Sequence, residues 1–415
     1  MKKYGCIGKK LTHSFSKEIH ARLADYNYDL IELTEEEIKP FFEKKDFEAI
    51  NVTIPYKQTV IPYLDSVSEI AARIGAVNTI VNRGGKLYGY NTDYYGMKAL
   101  TERVGIDLQN KKVLVLGTGG TSKTARVVAS DMGAREILTV SRRKSDENIT
   151  YDEAVNLHGD AEIIINTTPS GMYPDTESKP IDISSFSRLE GVIDAIYNPL
   201  RTNLVLDAKA KNVKAEGGLY MLVMQAVVAV EKFLDAKIEK EAADKVFSEI
   251  LSAKENIVLT GMPGSGKSTV GKLIELDGYK FVDIDAEIEN RCGCKIKELI
   301  ESEGEKYFRD LESEVIRDVS SESCLVISTG GGAILREENV RNLRKNGKIF
   351  FLNAKLSRLR ATDYRPLSNT EDKLAKLYDE RMDIYKKTAD VTVPDMETPE
   401  AEAEYILVKR MELIS

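Results

Sequence analysis

Two short runs of uninterrupted apolar residues stand out along the chain, and each opens onto a glycine-rich turn. Lys112-Val-Leu-Val-Leu116 runs into Gly117-Thr-Gly-Gly120, and Asn256-Ile-Val-Leu-Thr260 runs into Gly261-Met-Pro-Gly-Ser-Gly266. Strands buried on both faces of a parallel sheet read as continuous apolar runs, whereas strands with one wet face alternate. The same pattern predicts strands at 136–140, 162–165, 192–195, 324–328 and 348–352. Helix-period segments lie between them. The longest covers 219–251, with Val223, Val227 and Phe233 among its apolar positions, and the charged, alanine-rich stretch 235–253 carries the helix on past the main boundary, placed near Ser252. Alternating strands and helices predict an α/β class with parallel sheets.

Length and composition narrow the class. The 415 residues fit two to four domains at about 100–200 residues each. With 42% hydrophobic and 30% charged residues, the chain has the balance of a folded globular protein. Residues 1–250 hold 33 Lys+Arg against 36 Asp+Glu, a net of −3, and the remainder holds 26 against 31, a net of −5. Neither half is basic, which excludes a nucleic-acid-binding domain as the expectation but leaves room for small anionic substrates. The four cysteines, Cys6, Cys292, Cys294 and Cys324, read as free thiols of a reducing cytoplasm. Cys292 and Cys294 have no second pair and no histidine cluster to complete a metal site. Lys2-Lys3 is followed by Gly-Cys-Ile-Gly-Lys-Lys rather than an apolar segment, so no export signal is expected. The apolar stretch 219–230 is interrupted by Gln225 and falls short of the about 20 residues a membrane span needs. The expectation is a cytoplasmic protein with no membrane and no nucleic-acid partner. The oligomeric state is left open, with a homodimer as one arrangement.

The first glycine turn resembles a dinucleotide loop. Gly117-x-Gly119 follows a strand, so a pyrophosphate can approach the backbone at a helix N-terminus. Ser122 replaces the third glycine of the usual pattern. The next strand ends in Ser141-Arg142-Arg143-Lys144, where an NAD site usually has a carboxylate. Arginines attract a 2′-phosphate that a carboxylate would repel, so NADP is expected rather than NAD. Upstream lie Asn51-Val-Thr53-Ile-Pro55-Tyr-Lys57, Gly75-Ala-Val-Asn78-Thr79 and Gly89-Tyr-Asn91-Thr92-Asp93. Reduction of a ketone creates an alkoxide that needs a proton, and a lysine beside an aspartate can supply it. Spacing alone does not pair Lys57 with Asp93.

These motifs, with Gly8, His13-Ser14-Phe15-Ser16, Asn166-Thr167-Thr168-Pro169, Tyr197-Asn198-Pro199 and Met221-Leu-Val-Met-Gln225, resemble shikimate dehydrogenase in collinear order over residues 1–250. The resemblance implies that Ser14, Ser16, Thr53, Asn78, Tyr197 and Gln225 hold the hydroxyls and carboxylate of shikimate. It makes Lys57 and Asp93 the catalytic pair, Lys57 being the acid/base. It gives Gly117, Thr118, Gly119, Gly120 and Thr121, with Ser141, Arg142, Arg143 and Lys144, to NADP(H), and places Gly218 and Met221 beside the nicotinamide. It also implies a substrate domain at 1–100, completed by helices within 219–252, and a Rossmann domain at 101–218. Lys10 and Lys17 stand where the family often has proline, and Ser141 where it often has asparagine.

The second glycine turn, Gly261-Met-Pro-Gly264-Ser265-Gly266-Lys267-Ser268, fits a P-loop after a strand. Its backbone amides cradle phosphates, Lys267 reaches the β- and γ-phosphates and Ser268 meets Mg2+, with Thr269 next in the helix. Asp283 and Asp285 follow Phe281 and Val282 at a predicted strand end, where one carboxylate can serve a metal and the other an acceptor hydroxyl. Arg309 and Glu312 stand at i and i+3 on a predicted helix and can pair, a spacing that by itself reads as a solvated ion pair. Ser328-Thr-Gly330-Gly331-Gly332 is a backbone-exposing loop.

This set resembles shikimate kinase over 254–415, which gives a P-loop domain at 253–415. The resemblance implies ATP as donor, Asp283 on Mg2+ through water, Asp285 on the acceptor hydroxyl, and Arg309 and Arg381 on the substrate carboxylate. Gly330, Gly331 and Gly332 line the acceptor site, and Arg365 acts from a lid on the transferring phosphate. The lid segment 358–365 is short, and either Arg358 or Arg360 fills its other arginine position. Together the resemblances imply reduction of 3-dehydroshikimate to shikimate, then phosphorylation to shikimate 3-phosphate, on the route to chorismate and the aromatic amino acids. The alternative is a quinate/shikimate dehydrogenase fused to an inactive or regulatory kinase half.

Overall fold

The computed structural model describes residues 3–11, 15–359 and 370–414. Two compact units divide the chain, 1–250 and 251–415, a boundary two residues from the predicted one.

The first unit contains two six-stranded sheets. The first is built from β1 (Tyr4–Gly8), β2 (Tyr28–Glu32), β3 (Ala49–Val52), β4 (Ser66–Val67), β5 (Thr79–Arg83) and β6 (Lys86–Tyr90) in the order β2-β1-β3-β5-β6-β4. Strand β1 pairs parallel with β2 and β3, while β5 runs antiparallel to both β3 and β6. The second sheet is built from β7 (Lys112–Leu116), β8 (Glu136–Ser141), β9 (Ile149–Thr150), β10 (Ile163–Asn166), β11 (Gly191–Asp194) and β12 (Lys214–Glu216). Its order is β12-β11-β10-β7-β8-β9, and all its pairings are parallel. The chain leaves β7 toward β8 on one side and returns to β10 on the other. That reversal opens a crevice at the carboxyl ends of β7 and β10, the place where open α/β sheets bind ligands. Val113, Leu114, Val115 and Leu116 are fully buried, each worth about 2 kcal/mol of apolar burial.

The second unit holds one parallel sheet of β13 (Asn256–Thr260), β14 (Lys280–Asp283), β15 (Leu325–Ser328), β16 (Gly347–Leu352) and β17 (Val391–Val393), in the order β14-β15-β13-β16-β17. Every strand predicted from a continuous apolar run is present within one residue at each end.

The predicted continuous helix over 219–251 is instead two helices, Leu219–Leu234 and Lys240–Lys254. Asp235 takes the left-handed conformation with φ 53° and stops the first. Glu231 then captures the chain, its Oε1 accepting from the Ile238 amide at 3.1 Å. No helix among the described residues is long and apolar enough to cross a membrane. Cys292 and Cys294 are free and flank Gly293, which caps a helix at φ 70°. No cluster of metal-ligating side chains is found among the described residues.

Candidate active sites

In the first unit, Lys57 follows strand β3 and Asp93 opens the helix Asp93–Val104. The fold brings their side chains together at 2.5 Å between Nζ and Oδ2, both nearly buried. Asp93 Oδ1 accepts from Asn78 Nδ2 at 2.9 Å. Asn78 Oδ1 in turn accepts from the Thr92 amide at 2.7 Å and the Thr79 hydroxyl at 3.1 Å. Behind it, Asn51 Nδ2 donates to Thr79 Oγ1 at 3.1 Å and Asn51 Oδ1 accepts from the Tyr28 hydroxyl at 2.7 Å. The His20 ring stacks on Tyr28 at 3.9 Å, and burial holds its imidazole down to about 3, so it stays neutral. The Asp93 carboxylate is therefore aimed by a buried chain of neutral groups.

Gln225 arrives from the helix Leu219–Leu234. Its Oε1 lies 3.3 Å from Thr92 Oγ1. Gly96 makes that approach possible: a Cβ there would stand 2.4 Å from the Met221 carbonyl oxygen and 3.1 Å from Gln225 Cβ. Thr53 is anchored by its amide to Ile7 O at 2.9 Å and packs against Gly8, where a Cβ would meet Thr53 Cγ2 at 2.7 Å. Ser16 begins the helix Ser16–Leu23, and the adjacent Phe15 ring lies 5.1 Å from the ring of Tyr197. Burial raises the Tyr197 phenol. Ser14 lies outside the described residues.

The glycine loop emerges from β7 at the sheet reversal. Gly117 has φ 108°, its amide donates to Val140 O at 2.8 Å, and a Cβ would stand 2.9 Å from Thr167 Oγ1. The Ser122 hydroxyl donates back to Gly117 O at 2.6 Å, so the missing third glycine is replaced by an internal tie. Thr118, Gly119, Gly120 and Thr121 lead into the helix Gly120–Asp131, which has no acidic residue in its first turn. A Cβ on Gly120 would lie 3.7 Å from Lys57 Cδ, so the loop and Lys57 are neighbours. Ser141 ends β8 beside the loop and ties its own turn together through Arg143 O and Asn148 Oδ1. Lys144 pairs with Glu153. Arg142 and Arg143 are exposed. Gly218 caps the helix Leu219–Leu234, and a Cβ there would meet Ala195 O at 2.3 Å.

Motif reading passed over the floor of this crevice. Asp194 ends β11, is fully buried, and accepts from Asn166 Nδ2 at 3.0 Å, the Ile196 amide at 3.0 Å and Thr202 Oγ1 at 2.7 Å. Burial nevertheless pushes its carboxyl up to about 7.

In the second unit the P-loop leaves β13. Gly264 and Gly266 take φ 83° and 92°, conformations that favour glycine. Lys267 is buried and its ammonium donates to Gly261 O at 2.9 Å and Met262 O at 3.0 Å. Ser265 is buried and Thr269 exposed. Ser268 Oγ donates to Asp283 Oδ2 at 2.7 Å, while Asp283 Oδ1 caps the next helix by accepting from the Asp285 and Ala286 amides.

The three glycines after β15 are where the groups converge. A Cβ on Gly330 would stand 2.8 Å from both Asp285 Oδ1 and Glu312 Oε1; one on Gly331 would stand 2.9 Å from Pro263 of the P-loop; one on Gly332, 2.6 Å from Arg309 Nη2. Arg309 Nη1 meets Glu312 Oε2 at 2.7 Å. Glu312 is fully buried, which corrects the solvated ion pair that spacing alone describes: the Gly330–Gly332 loop covers it. Desolvation raises its carboxyl, opposed by Arg309, Arg336 and Arg381. Arg381 Nη1 donates to Gly331 O at 2.8 Å. Arg358 is engaged with Asp395 and Met396 O. Arg360 and Arg365 lie outside the described residues.

Comparison with known proteins finds relatives for both units. Residues 6–80 match the family model of the shikimate dehydrogenase substrate binding domain, and residues 263–411 match that of shikimate kinase. A "Shikimate dehydrogenase (NADP(+))" of Clostridium beijerinckii is 38% identical over 265 residues, which cover 60% of this chain and 97% of that protein. The crystal structure of shikimate dehydrogenase 1 from Peptoclostridium difficile superposes with TM-score 0.56 at 36% identity, covering 60% of this chain and 98% of that one. The Thermus thermophilus shikimate 5-dehydrogenase, solved in complex with NADP(H) and shikimate, gives 0.53 at 26% identity, covering 60% and 99%. The chain belongs to the shikimate dehydrogenase family through its N-terminal part and carries a shikimate kinase domain behind it, so it is an enzyme of two activities.

Proposed function

We propose that the first unit reduces 3-dehydroshikimate to shikimate and that the second phosphorylates the shikimate so formed to shikimate 3-phosphate. The observation that carries this reading is the Lys57–Asp93 pair, 2.5 Å apart with Gly120 of the glycine loop against the lysine stem. Relatives named for NADP and one solved with NADP(H) and shikimate support the cofactor and substrate. When bound, NADPH would supply a hydride for the carbonyl carbon. Lys57 supplies the proton to the carbonyl oxygen, and Asp93 holds the ammonium there. Ser14, Ser16, Thr53, Asn78, Tyr197 and Gln225 hold the rest of the ring. Gly117–Thr121 take the pyrophosphate at a helix N-terminus. Arg142 and Arg143 take the 2′-phosphate, and Gly218 and Met221 flank the nicotinamide.

In the second unit the P-loop amides and Lys267 hold the ATP phosphates. Ser268 Oγ and Asp283 Oδ2 are hard oxygen donors already 2.7 Å apart, a donor set that fits Mg2+; they would hold Mg2+, which would supply charge neutralisation for the transferring phosphoryl group. Asp285 accepts the proton of the acceptor hydroxyl as its oxygen attacks the γ-phosphorus and ADP leaves. Arg309 and Arg381 hold the acceptor carboxylate, and Arg365 meets the transferring phosphate. The four free cysteines suit a reducing cytoplasm.

A one-pot assay tests the reading. With 3-dehydroshikimate, NADPH and Mg-ATP supplied, shikimate 3-phosphate is expected only when both cofactors are present. Lys57→Ala should abolish reduction and leave phosphorylation of added shikimate intact; Lys267→Ala should do the reverse. Shikimate accumulating unphosphorylated would overturn the kinase assignment. If folded protein forms neither shikimate nor its phosphate and oxidises no NADPH, the first unit would have to be tested on quinate with NAD.

A further inference from the structure

Tyr385 lies on the helix Glu371–Thr388 and is fully buried, its ring stacked on Phe351 of β16 at 4.9 Å. Its hydroxyl reaches two carbonyls from different loops: Gly261 O, at the start of the P-loop, at 2.9 Å, and Gly331 O, in the middle of the acceptor loop, at 2.6 Å. A phenol has one proton, so it satisfies one carbonyl fully or both by sharing. Each carbonyl has a second, cationic donor. Gly261 O also accepts from the Lys267 ammonium at 2.9 Å, and Gly331 O from Arg381 Nη1 at 2.8 Å. The groups form one line: Lys267, Gly261 O, the Tyr385 hydroxyl, Gly331 O, Arg381. One end is the phosphate-binding lysine and the other an arginine assigned to the acceptor carboxylate.

We infer that Tyr385 is a positioning residue that couples nucleotide binding to acceptor binding, by moving its hydroxyl proton between the carbonyls of Gly261 and Gly331. A nucleoside triphosphate draws Lys267 off Gly261 O onto its phosphates. The buried carbonyl left behind is costly unless it gains a donor, and the Tyr385 hydroxyl is within reach. The proton therefore settles on Gly261 O. Gly331 O then has Arg381 as its remaining donor, which pins the guanidinium in one orientation and leaves its other N–H groups set for the acceptor carboxylate. Nucleotide thus tightens acceptor binding, and by reciprocity acceptor tightens nucleotide binding by the same factor.

The inference rests on the kinase reading above, and the test separates the two. Shikimate has a site in each unit, so the measured ligand is the nucleotide: the β,γ-imido analogue of ATP with Mg2+, titrated calorimetrically into the full chain with and without saturating shikimate. In the wild type, shikimate is expected to lower the analogue Kd by about fivefold or more, the range of ordinary coupling between sites. In Tyr385→Phe the Gly261 carbonyl loses its replacement donor, so the Kd without shikimate should rise by about fivefold or more and the tightening should fall close to one. A merely structural role would leave the ratio unchanged, whatever it did to the affinity. Tyr385→His keeps a ring and one N–H donor, should give an intermediate ratio, and decides the matter if the phenylalanine chain does not fold. Arg309→Ala should abolish the tightening; if the tightening persists there, it arises outside the acceptor site and the inference fails. It also fails if Tyr385→Phe keeps the wild-type ratio, or if the wild type shows no tightening while turning over shikimate and ATP. Absence of that turnover would instead overturn the kinase reading.

Discussion

Glu312 lies wholly out of solvent with its Oε2 2.7 Å from Nη1 of Arg309, and the Cβ-less face of Gly330 closes over its other oxygen. A buried carboxylate is tolerated only with such a partner, because removing one member of a buried pair strands the other charge. The pair thus fixes the guanidinium assigned to the acceptor. Glu312→Gln should raise the shikimate KM of the kinase about tenfold or more, since charge-assisted bonds are worth about 1.5–3 kcal/mol. It should leave the dehydrogenase rate untouched. An unchanged kinase KM would show that Arg309 is held by other means.

Gly96→Ala inverts an ordinary expectation. Alanine in place of glycine inside a helix normally stabilises by about 1 kcal/mol. Here the new Cβ would stand 2.4 Å from the Met221 carbonyl oxygen, and backbone cannot step aside cheaply. Overpacking costs about 1–3 kcal/mol, so the sign should reverse. The midpoint of dehydrogenase inactivation in urea should fall. The shikimate KM should rise as Gln225 is pushed from Thr92.

Asp194 makes the first unit sensitive to alkali. Its carboxyl is raised by burial to about 7 from an ordinary 3.8, against three donors that favour the charged form. A raised carboxyl means the folded state holds its proton more tightly than the unfolded chain. That contribution is complete below about pH 4 and is lost as pH climbs through about 7. The urea midpoint for dehydrogenase inactivation should therefore carry a component that falls between about pH 5 and pH 8. Asp194→Asn should remove that component, at a roughly constant cost of about 1–3 kcal/mol for the donors it cannot satisfy. An identical pH slope in the variant would refute the assignment.

Arg142 offers a cofactor test. Arg142→Ala should raise the KM for NADPH about 10- to 100-fold, the loss of one charge-assisted bond, and leave the KM for NADH nearly unchanged. Equal changes for both cofactors would place the arginine away from the 2′-phosphate. Lys144→Ala should matter less, because Glu153 already holds its ammonium.

The parts of the fold that could be read beforehand share a physical cause. Strands β7, β10, β11, β13 and β15 are buried on both faces, so their apolar runs stand out. The first sheet did not announce itself: β1 reads Tyr-Gly-Cys-Ile-Gly and β2 reads Tyr-Asp-Leu-Ile-Glu, neither apolar throughout nor alternating. The helix break at Asp235 was hidden because left-handed conformation there is carried by an aspartate rather than a glycine. Site residues held by local backbone, such as Gly117 and Lys267, sit in motifs and were legible. Asn51 and Thr92 stood inside quoted motifs, but their role as props for Asn78 appears only once strands β3 and β5 pair. Glu312, Tyr385 and Asp194 owe their burial to residues tens of positions away, which no periodicity reports.

The strand order of the second unit also sets a timetable for its synthesis. On a ribosome adding about 5–20 residues per second, the first unit's β7 meets its neighbour β8 after Glu136–Ser141 emerge, within about 1–5 s. Strand β13, equally apolar, must wait until residues 325–328 of β15 are made, about 3–14 s later. Through that interval Ile-Val-Leu stands exposed with both edges unpaired, the condition in which nascent chains stick to one another. The yield of the unit that transfers phosphate should therefore depend on chaperone supply and growth temperature.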